Sequence, residues 1–589
     1  KLDIRSAGVN AYAEFPGING LDARIEADPH GGRAAFDGAG MKLDLPLILR
    51  HELSFSQLAA TADWKFDAAG MSLSFDARKM VNSDLEGSAQ GRLEIPDSGP
   101  VHADISAHLT RGEANAVYRY LPLKVGDDAY HWLQRGLISG KSDDVRLVLK
   151  GPLDRFPFDQ GGGEFSVSIR MLNGVLDYAP GWPRIEGVNG TLLFHDKAMS
   201  LNAYSGRILD ARLGPVKVFI PDLHSSIDEM LMVDGQAAGE TRTFLDFIRF
   251  SPVHEHTGHF TEPFKAVGDG RLDLHLRIPL RKIEATTLSG SYAFDNNRLD
   301  PGGDLPELSA VSGSVQFTQD GLQAKDIHAR LLDLPVRLNI RSALASENGQ
   351  GAGRAVLGQL YGEIGAAEIA PYLPAALRGR LAGGTRWQAE VGMSAGGKSV
   401  FKLTSDLVGL AINLPVPLGK TAEMEMPLSA IKESVNGGAK PGASVGDGVD
   451  AVLVRYGDLL SLRAQRPKDG PARVHVHFGG GEATAPTDSG LWISGALRQL
   501  DLDAWKPLMP AARTPAAADA GVLPLREANI VFNELQLFNR RLNDTHIKLR
   551  PSAGGWRLAV TGREITGEVA TVPVGNKVNV LANFKRSEE

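Results

Sequence analysis

Around residue 275 every second side chain is apolar. Leu272, Leu274, Leu276, Ile278 and Leu280 alternate with Arg271, Asp273, His275 and Arg277. A period of two sends one set to each face of a β-strand, and no helix can hold that pattern. The alternation recurs along the chain. Phe165, Val167, Ile169 and Met171 interleave with Ser166, Ser168 and Arg170, and Met71, Leu73, Phe75 and Ala77 with Ser72, Ser74, Asp76 and Arg78. Val474, Val476 and Phe478 stand against Arg473, His475 and His477. Turn formers such as Gly161-Gly162-Gly163, Asn173-Gly174, Pro180-Gly181 and Asn189-Gly190 cut the runs short. Such punctuation predicts antiparallel meanders with one apolar and one wet face.

The unit repeats. Leu176-Asp177, Pro183, Val188, Gly190, Phe194, Arg207 and Leu209-Asp210 return as Leu299-Asp300, Pro306, Val311, Gly313, Phe317, Arg330 and Leu332-Asp333, without a gap (313 − 190 = 123; 333 − 210 = 123). Repetition of a β-unit favours an extended array over a compact catalytic domain. The spacing predicts few helices. One lies within 114–139, capped by Asp127 or Asp128, carrying Tyr130, Trp132, Leu133, Leu137 and Ile138 and stopped at Gly140, with Trp132 and Leu133 plugging against the sheet. A second covers 240–250 with a stripe of Phe244, Leu245, Phe247 and Ile248; a third, around 366–377, is interrupted by Pro371. The expected organisation is a β-segment over 1–113, the helical interlude 114–140, β-meander units at 141–239 and 265–341 separated by a helix and loop at 240–264, a connecting segment 342–386, and a C-terminal β-segment 387–589 holding loops at 434–448 and 510–521.

Composition narrows the function classes. At 43% hydrophobic and 23% charged residues the chain is neither disordered nor membrane-embedded, and a net charge of −7 without a basic cluster argues against nucleic acid. The absence of cysteine excludes disulfides, thiolate metal sites and a Cys nucleophile. No run reaches the roughly 18 to 20 apolar residues of a membrane-spanning helix. The chain opens without an initiator methionine, which we read as a piece of a longer protein, any anchor of which would lie upstream of Lys1.

Chemistry-bearing motifs are few. Gly392, Gly397, Lys398 and Ser399 match the P-loop expression, but Phe401 and Leu403 alternate after it, predicting a strand where phosphate binding needs a helix. His254, His256 and His259 with Glu255 are the densest metal-ligand set, yet Pro252, Gly258 and Pro263 predict a solvated loop. His475 and His477 belong to the wet face of a strand. We assign no catalytic, metal or cofactor residue.

An apolar strand face must be covered, either by another sheet or by a ligand. Three short helices do not suffice. A lipid suits the second case: each buried methylene contributes about 0.8 kcal/mol, so a sixteen-carbon chain gains on the order of 12 kcal/mol.

The wording of several stretches adds a resemblance. Tyr120-Leu121-Pro122, Trp132-Leu133, Gly140, Phe156-Pro157-Phe158 before Gly163 and Phe165, Tyr178, Pro180, Trp182-Pro183, Ile220-Pro221-Asp222-Leu223 and Ser251-Pro252 come first. Ser405-Asp406-Leu407, Gly409, Leu414-Pro415, Pro417-Leu418-Gly419-Lys420 and Leu500-Asp501-Leu502-Asp503 with Trp505 follow. Together they resemble the YhdP branch of the AsmA-like superfamily of Gram-negative envelope proteins. The resemblance implies a mainly β fold: an elongated, curled antiparallel sheet of repeating β-units with a few short helices, forming an open, taco-like hydrophobic groove. It implies a bridge-like, non-enzymatic carrier of phospholipid across the periplasm, anchored in the inner membrane. Its partners would be phospholipid acyl chains and the inner and outer membranes, with envelope proteins open as further partners. On this reading Phe165, Val167, Ile169, Leu272, Leu274, Leu276, Val474, Val476 and Phe478 line the groove. The competing expectation is a structural or glycan-binding envelope protein of closed β-sandwiches, with Trp182, Trp492 and Trp505 exposed to stack on sugars.

Overall fold

The structure is a computed structural model. It describes residues 1–589 except 13–16, 226, 258, 260, 303–304, 345–353, 374–376, 395–398, 435–448, 468–469, 487, 509–522, 553–554, 575–576 and 586–589. The fold is mainly β, with 36 strands and five short α-helices among the described residues. None of the described helices is long and apolar enough to cross a membrane. The chain divides into two units. One comprises residues 1–256, 264–298 and 314–321; the other comprises 257–263, 299–313 and 322–589.

The first unit is an antiparallel ladder. From Glu164–Leu176 the order runs through Ile185–His195, Ala198–Ile208, Ala211–Ile220, Met230–Glu240 and Asp269–Pro279 to Thr287–Asp300. On the other side it continues through Val145–Pro152, His102–Glu113, Leu85–Pro96, Gly70–Val81, Gln57–Asp67 and Gly31–Gly38 to Gly17–Asp28 and Leu2–Val9. Helices follow His102–Glu113 and Met230–Glu240. Those strands lie an even number of ladder steps apart, so they run the same way and both helices sit at one edge.

The repeat is structural as well as textual. Strands beginning at 164, 185, 198 and 211 recur at 287, 308, 321 and 334, an offset of 123 in each case. Left-handed backbone recurs with them: Asn173 (φ 52°) and Asn296 (55°), Gly187 (62°) and Ala310 (49°), Leu209 (51°) and Leu332 (49°). A positive φ strains a residue that carries a Cβ, so its return at equivalent turns marks one backbone plan used twice.

The second unit departs from an all-antiparallel sheet. Leu334–Leu344 to Arg473–Phe478 is antiparallel, but Arg473–Phe478 pairs parallel with Gly490–Asp501, which pairs parallel with Leu525–Leu537. Parallel neighbours need a crossover, not a hairpin. Residues 479–486, with 488–489, supply the first one. They pass over the wet face, where Ser461 Oγ donates to the Gly481 carbonyl (3.0 Å) and accepts from the buried Ala483 N–H (2.8 Å).

Other expectations need correction. The first helix spans Asp127–Gly136 and its N-cap is Gly126; Asp127 and Asp128 lie in its first turn, where carboxylates favour the dipole without capping. Leu137 and Ile138 start a strand, Leu137–Ser142, because the chain must rejoin Glu164–Leu176 there. The second helix is Thr241–Arg249; the third is a single turn, Ala366–Ile369, passing into a 3-10 turn that contains Pro371. Residues 395–398 of the P-loop-like motif, including Lys398, lie outside the described residues. The strands flanking them, Leu381–Ser394 and Ser399–Ser405, pair antiparallel and no helix follows. Nearly all of the two expected loops, at 434–448 and 510–521, also lies outside the described residues. His254 is on a short helix, Val253–His256, in place of the expected loop.

Candidate functional site

Residues directly opposite in a ladder share a face, so register decides which predicted residues meet. Val167 and Ile169 stand opposite Phe194 and Leu192. Leu192 faces Leu201, Leu201 faces Val218, and Val218 faces Val233. Val233 faces Leu276, while Gly235 and Ala237 of the same strand face Leu274 and Leu272. The six predicted residues of the first unit therefore lie on one face of one sheet. In the other direction the face continues through Leu147, Ala107 and Ala89, and through Leu93, Leu73 and Trp64. The opposite face carries Ser166, Ser168, Arg170, Asp273, His275 and Arg277.

Burial separates a covered face from an open one. Face-to-face sheets interdigitate and exclude water from both inner surfaces. All six predicted residues stay half-buried, as do Leu192, Leu201, Val218 and Val233, and none belongs to the buried core. Both margins of this face are closed by aromatic rings. At one, Phe156 lies 5.0 Å from Phe165 and 6.0 Å from Phe158, which is 2% exposed. At the helical edge Phe244 lies 4.9 Å from Tyr292, and Phe247 lies 5.8 Å from Trp182. Tyr292 shares the apolar face, standing opposite Leu272, and its hydroxyl donates to Thr241 Oγ1 (2.8 Å). Burial pushes the Tyr292 hydroxyl up to about 12 and that of Tyr178, which packs on Trp182, up to about 12 also. Phe165 thus belongs to a margin; Val167, Ile169, Leu272, Leu274 and Leu276 lie between the margins.

Sequence reasoning missed Phe156 and Tyr292. The Phe-Pro-Phe wording was visible, but no local pattern says that a loop folds back over its own strand.

In the second unit Val476 faces Leu462, and the face passes through Val454, Ala430, Leu403, Ala389, Leu360 and Leu338 to Ile327. Its far part is covered by protein: Ile327 and Ala389 are 1% exposed and Leu338 is 7%. Val474 and Val476 remain half-buried, whereas Phe478 packs against the cluster of Leu497, Phe532 and Leu535.

The three tryptophans proposed as sugar platforms are half-buried and engaged. Trp182 packs between Tyr178 and Phe247, Trp505 Nε1 donates to the Val416 carbonyl (3.1 Å), and Trp492 Nε1 to that of Asp488 (3.4 Å).

The wet-face histidines hold the crossover. His475 Nδ1 bonds the Thr484 carbonyl (3.0 Å), and His475 Nε2 and His477 Nδ1 both meet Ser494 Oγ (2.8 Å each). Because the carbonyl only accepts, a neutral His475 carries its proton on Nδ1. Ser494 then donates to Nε2 and accepts from His477. Burial, and secondarily the charge of His475, lowers the His477 pKa below 6.5. A base depressed in the folded state is protonated more readily by the unfolded chain, so its contribution is full above about pH 6.5 and is lost as pH falls below it. Urea midpoints should therefore fall on acidification in this range, and His477→Gln should flatten that slope; an unchanged slope would remove His477 as its source.

The profile of the family described as YhdP protein matches residues 1–587. The chain is 23% identical over 580 residues to the intermembrane phospholipid transporter YhdP of Escherichia coli (strain K12), covering 97% of this chain and 44% of that protein. The chain thus spans less than half the length of the curated relative it matches. No solved structure matches it significantly. On the match over nearly its whole length, the chain belongs to the YhdP family.

Proposed function

We propose that this chain is a carrier of phospholipid, holding acyl chains against its apolar sheet face as they pass between the inner and outer membranes. The observation that carries the reading is the half-buried state of the face running from Val167 to Leu276: it is too apolar to favour water and stays short of the burial that a packed second sheet would impose. Acyl chains cover such a surface without polar recognition, at about 0.8 kcal/mol per methylene. The relative's role in intermembrane phospholipid transport supports the same substrate. On this reading Val167, Ile169, Leu272, Leu274, Leu276, Val474 and Val476 contact lipid, while Phe165 and Phe478 close margins. The chain acts by binding and conducting, without catalysis, in the periplasm, with the membrane anchor supplied by the longer protein.

The test is mass spectrometry of organic extracts from the chain purified without detergent from bacterial cells. Stoichiometric phospholipid is the expected result. A lipid-free, stable protein would mean that the faces cover one another, and the carrier reading would fall.

A further inference from the structure

Aromatic residues on the apolar face share a feature that core packing does not require. Trp64 stands opposite Gly32, Phe75 opposite Gly91, Trp387 opposite Gly362 and Phe584 opposite Gly567. In each pair the ring lies where the glycine's missing Cβ would project. A Cβ on Gly91 would sit 2.7 Å from Phe75 Cε1 and 2.8 Å from its Cζ; one on Gly362 would sit 2.7 Å from Trp387 Cζ2 and 2.8 Å from its Cε2. Tyr292 covers Gly270 and Phe317 covers Gly290 in the same way. Strand glycines weaken a sheet, and a flat cross-strand ring offsets part of that loss. Any bulky aliphatic side chain on the glycine's own strand would do that better. Only glycine lets a ring lie down against the backbone.

We infer that these glycines keep the aromatic rings recumbent so that the apolar face stays low, and that they are positioning residues for lipid passage. Phe75 and Trp64 are half-buried, so each ring shows its other side away from the sheet. A recumbent ring adds apolar area with a flat surface along which an acyl chain slides. An upright one, rotated to its other staggered position by a neighbouring Cβ, stands into the path. The inference rests on the proposed carrier function and adds what keeps the path clear.

Transfer of fluorescent phospholipid from donor to acceptor vesicles, followed with the whole chain, tests it, with bound lipid and thermal midpoint measured in parallel. Gly91→Val should slow transfer several-fold while the chain stays folded, and adding Phe75→Ala should restore it although a stabilising ring is gone. The pair Gly32→Val and Trp64→Ala, also half-buried on the first unit's face, repeats the test should the first variant fail to fold. Transfer by Gly91→Val at the unsubstituted rate overturns the inference. So does a double variant as slow as the single one, which makes the pair merely structural. An unsubstituted chain with neither bound lipid nor transfer overturns the carrier reading itself, whatever the variants do.

Discussion

A Leu274→Asp chain is expected to fold and to leave the cell without phospholipid. Leu274 is half-buried between Gly235 and Gly290, the residues opposite it on the two neighbouring strands. Val216 reaches over Gly235 and Phe317 over Gly290, yet Leu274 keeps part of its surface open, so a carboxylate there reaches water while the face is empty. The cost to stability is then the ordinary one of a point change, about 1 kcal/mol. Covering that carboxylate with an acyl chain strips its water and offers no partner, at several kcal/mol. A loss of ~3 kcal/mol corresponds to roughly a hundredfold in lipid affinity. Ser289→Asp, on the wet face of the adjacent strand, is the matched control and should keep its lipid. Equal loss in both variants, or full loading in Leu274→Asp, would show that this face does not carry lipid. Val476→Asp repeats the experiment in the second unit.

The largest loss of stability is expected from Lys420→Met. Lys420 is 6% exposed, and its ammonium donates to the carbonyls of Leu407 (2.8 Å), Leu410 (2.6 Å) and Thr421 (2.8 Å). The Leu407 and Leu410 carbonyls belong to the segment that follows Ser399–Ser405, where Leu407 (φ 53°) and Gly409 (φ 94°) adopt left-handed backbone, and the third is that of the residue next to the lysine. The buried Leu407, Leu410 and Tyr456 pack there against Leu381, Ile412 and Leu428. Burial lowers the lysine pKa, but three acceptors can be served only by a group with several N–H donors. Methionine fills the space and takes the ammonium donors from all three carbonyls, leaving that of Leu407 only the long bond from Leu410 N–H (3.3 Å), at a cost of roughly 3–5 kcal/mol. Urea unfolding should show that loss, and hydrogen exchange should place it in residues 399–434 and 449–467. A methionine variant as stable as the unsubstituted chain would reduce Lys420 to a bystander.

How much of this was legible depends on the range over which each feature is encoded. Alternation is local, so Leu272, Leu274 and Leu276 announced both their strand and their shared face. The repeat was legible for the same reason, since Leu209-Asp210 and Leu332-Asp333 are two-residue turns fixed by their own backbone. Strand direction is not local. The alternation of Val474, Val476 and Phe478 reads identically in parallel and antiparallel company, so the crossover after Phe478 had no signature. Margins were hidden too: Phe156 covers Phe165 only because a loop reverses, and Phe478 joins Leu497 only through the parallel pairing. Leu137 and Ile138 fitted a helical stripe equally well until Glu164–Leu176 claimed them for a strand. Lys420 was visible as part of Pro-Leu-Gly-Lys, but nothing in that wording tells a buried ammonium from a surface one.

The 123-residue period has a consequence for how such a chain can change in length. Glu164–Leu176 and Thr287–Asp300 are separated by six ladder steps, an even number. Duplicating or excising one period therefore returns every later strand to its former direction and its former inward and outward faces, with the left-handed turns in place. A change by an odd number of strands would reverse the direction of all that follows and carry the next helix to the opposite edge. Growth in whole periods thus leaves the direction, the faces and the left-handed turns of the rest of the molecule as they were, and natural length variants of this stretch should differ by even numbers of strands, whole periods among them.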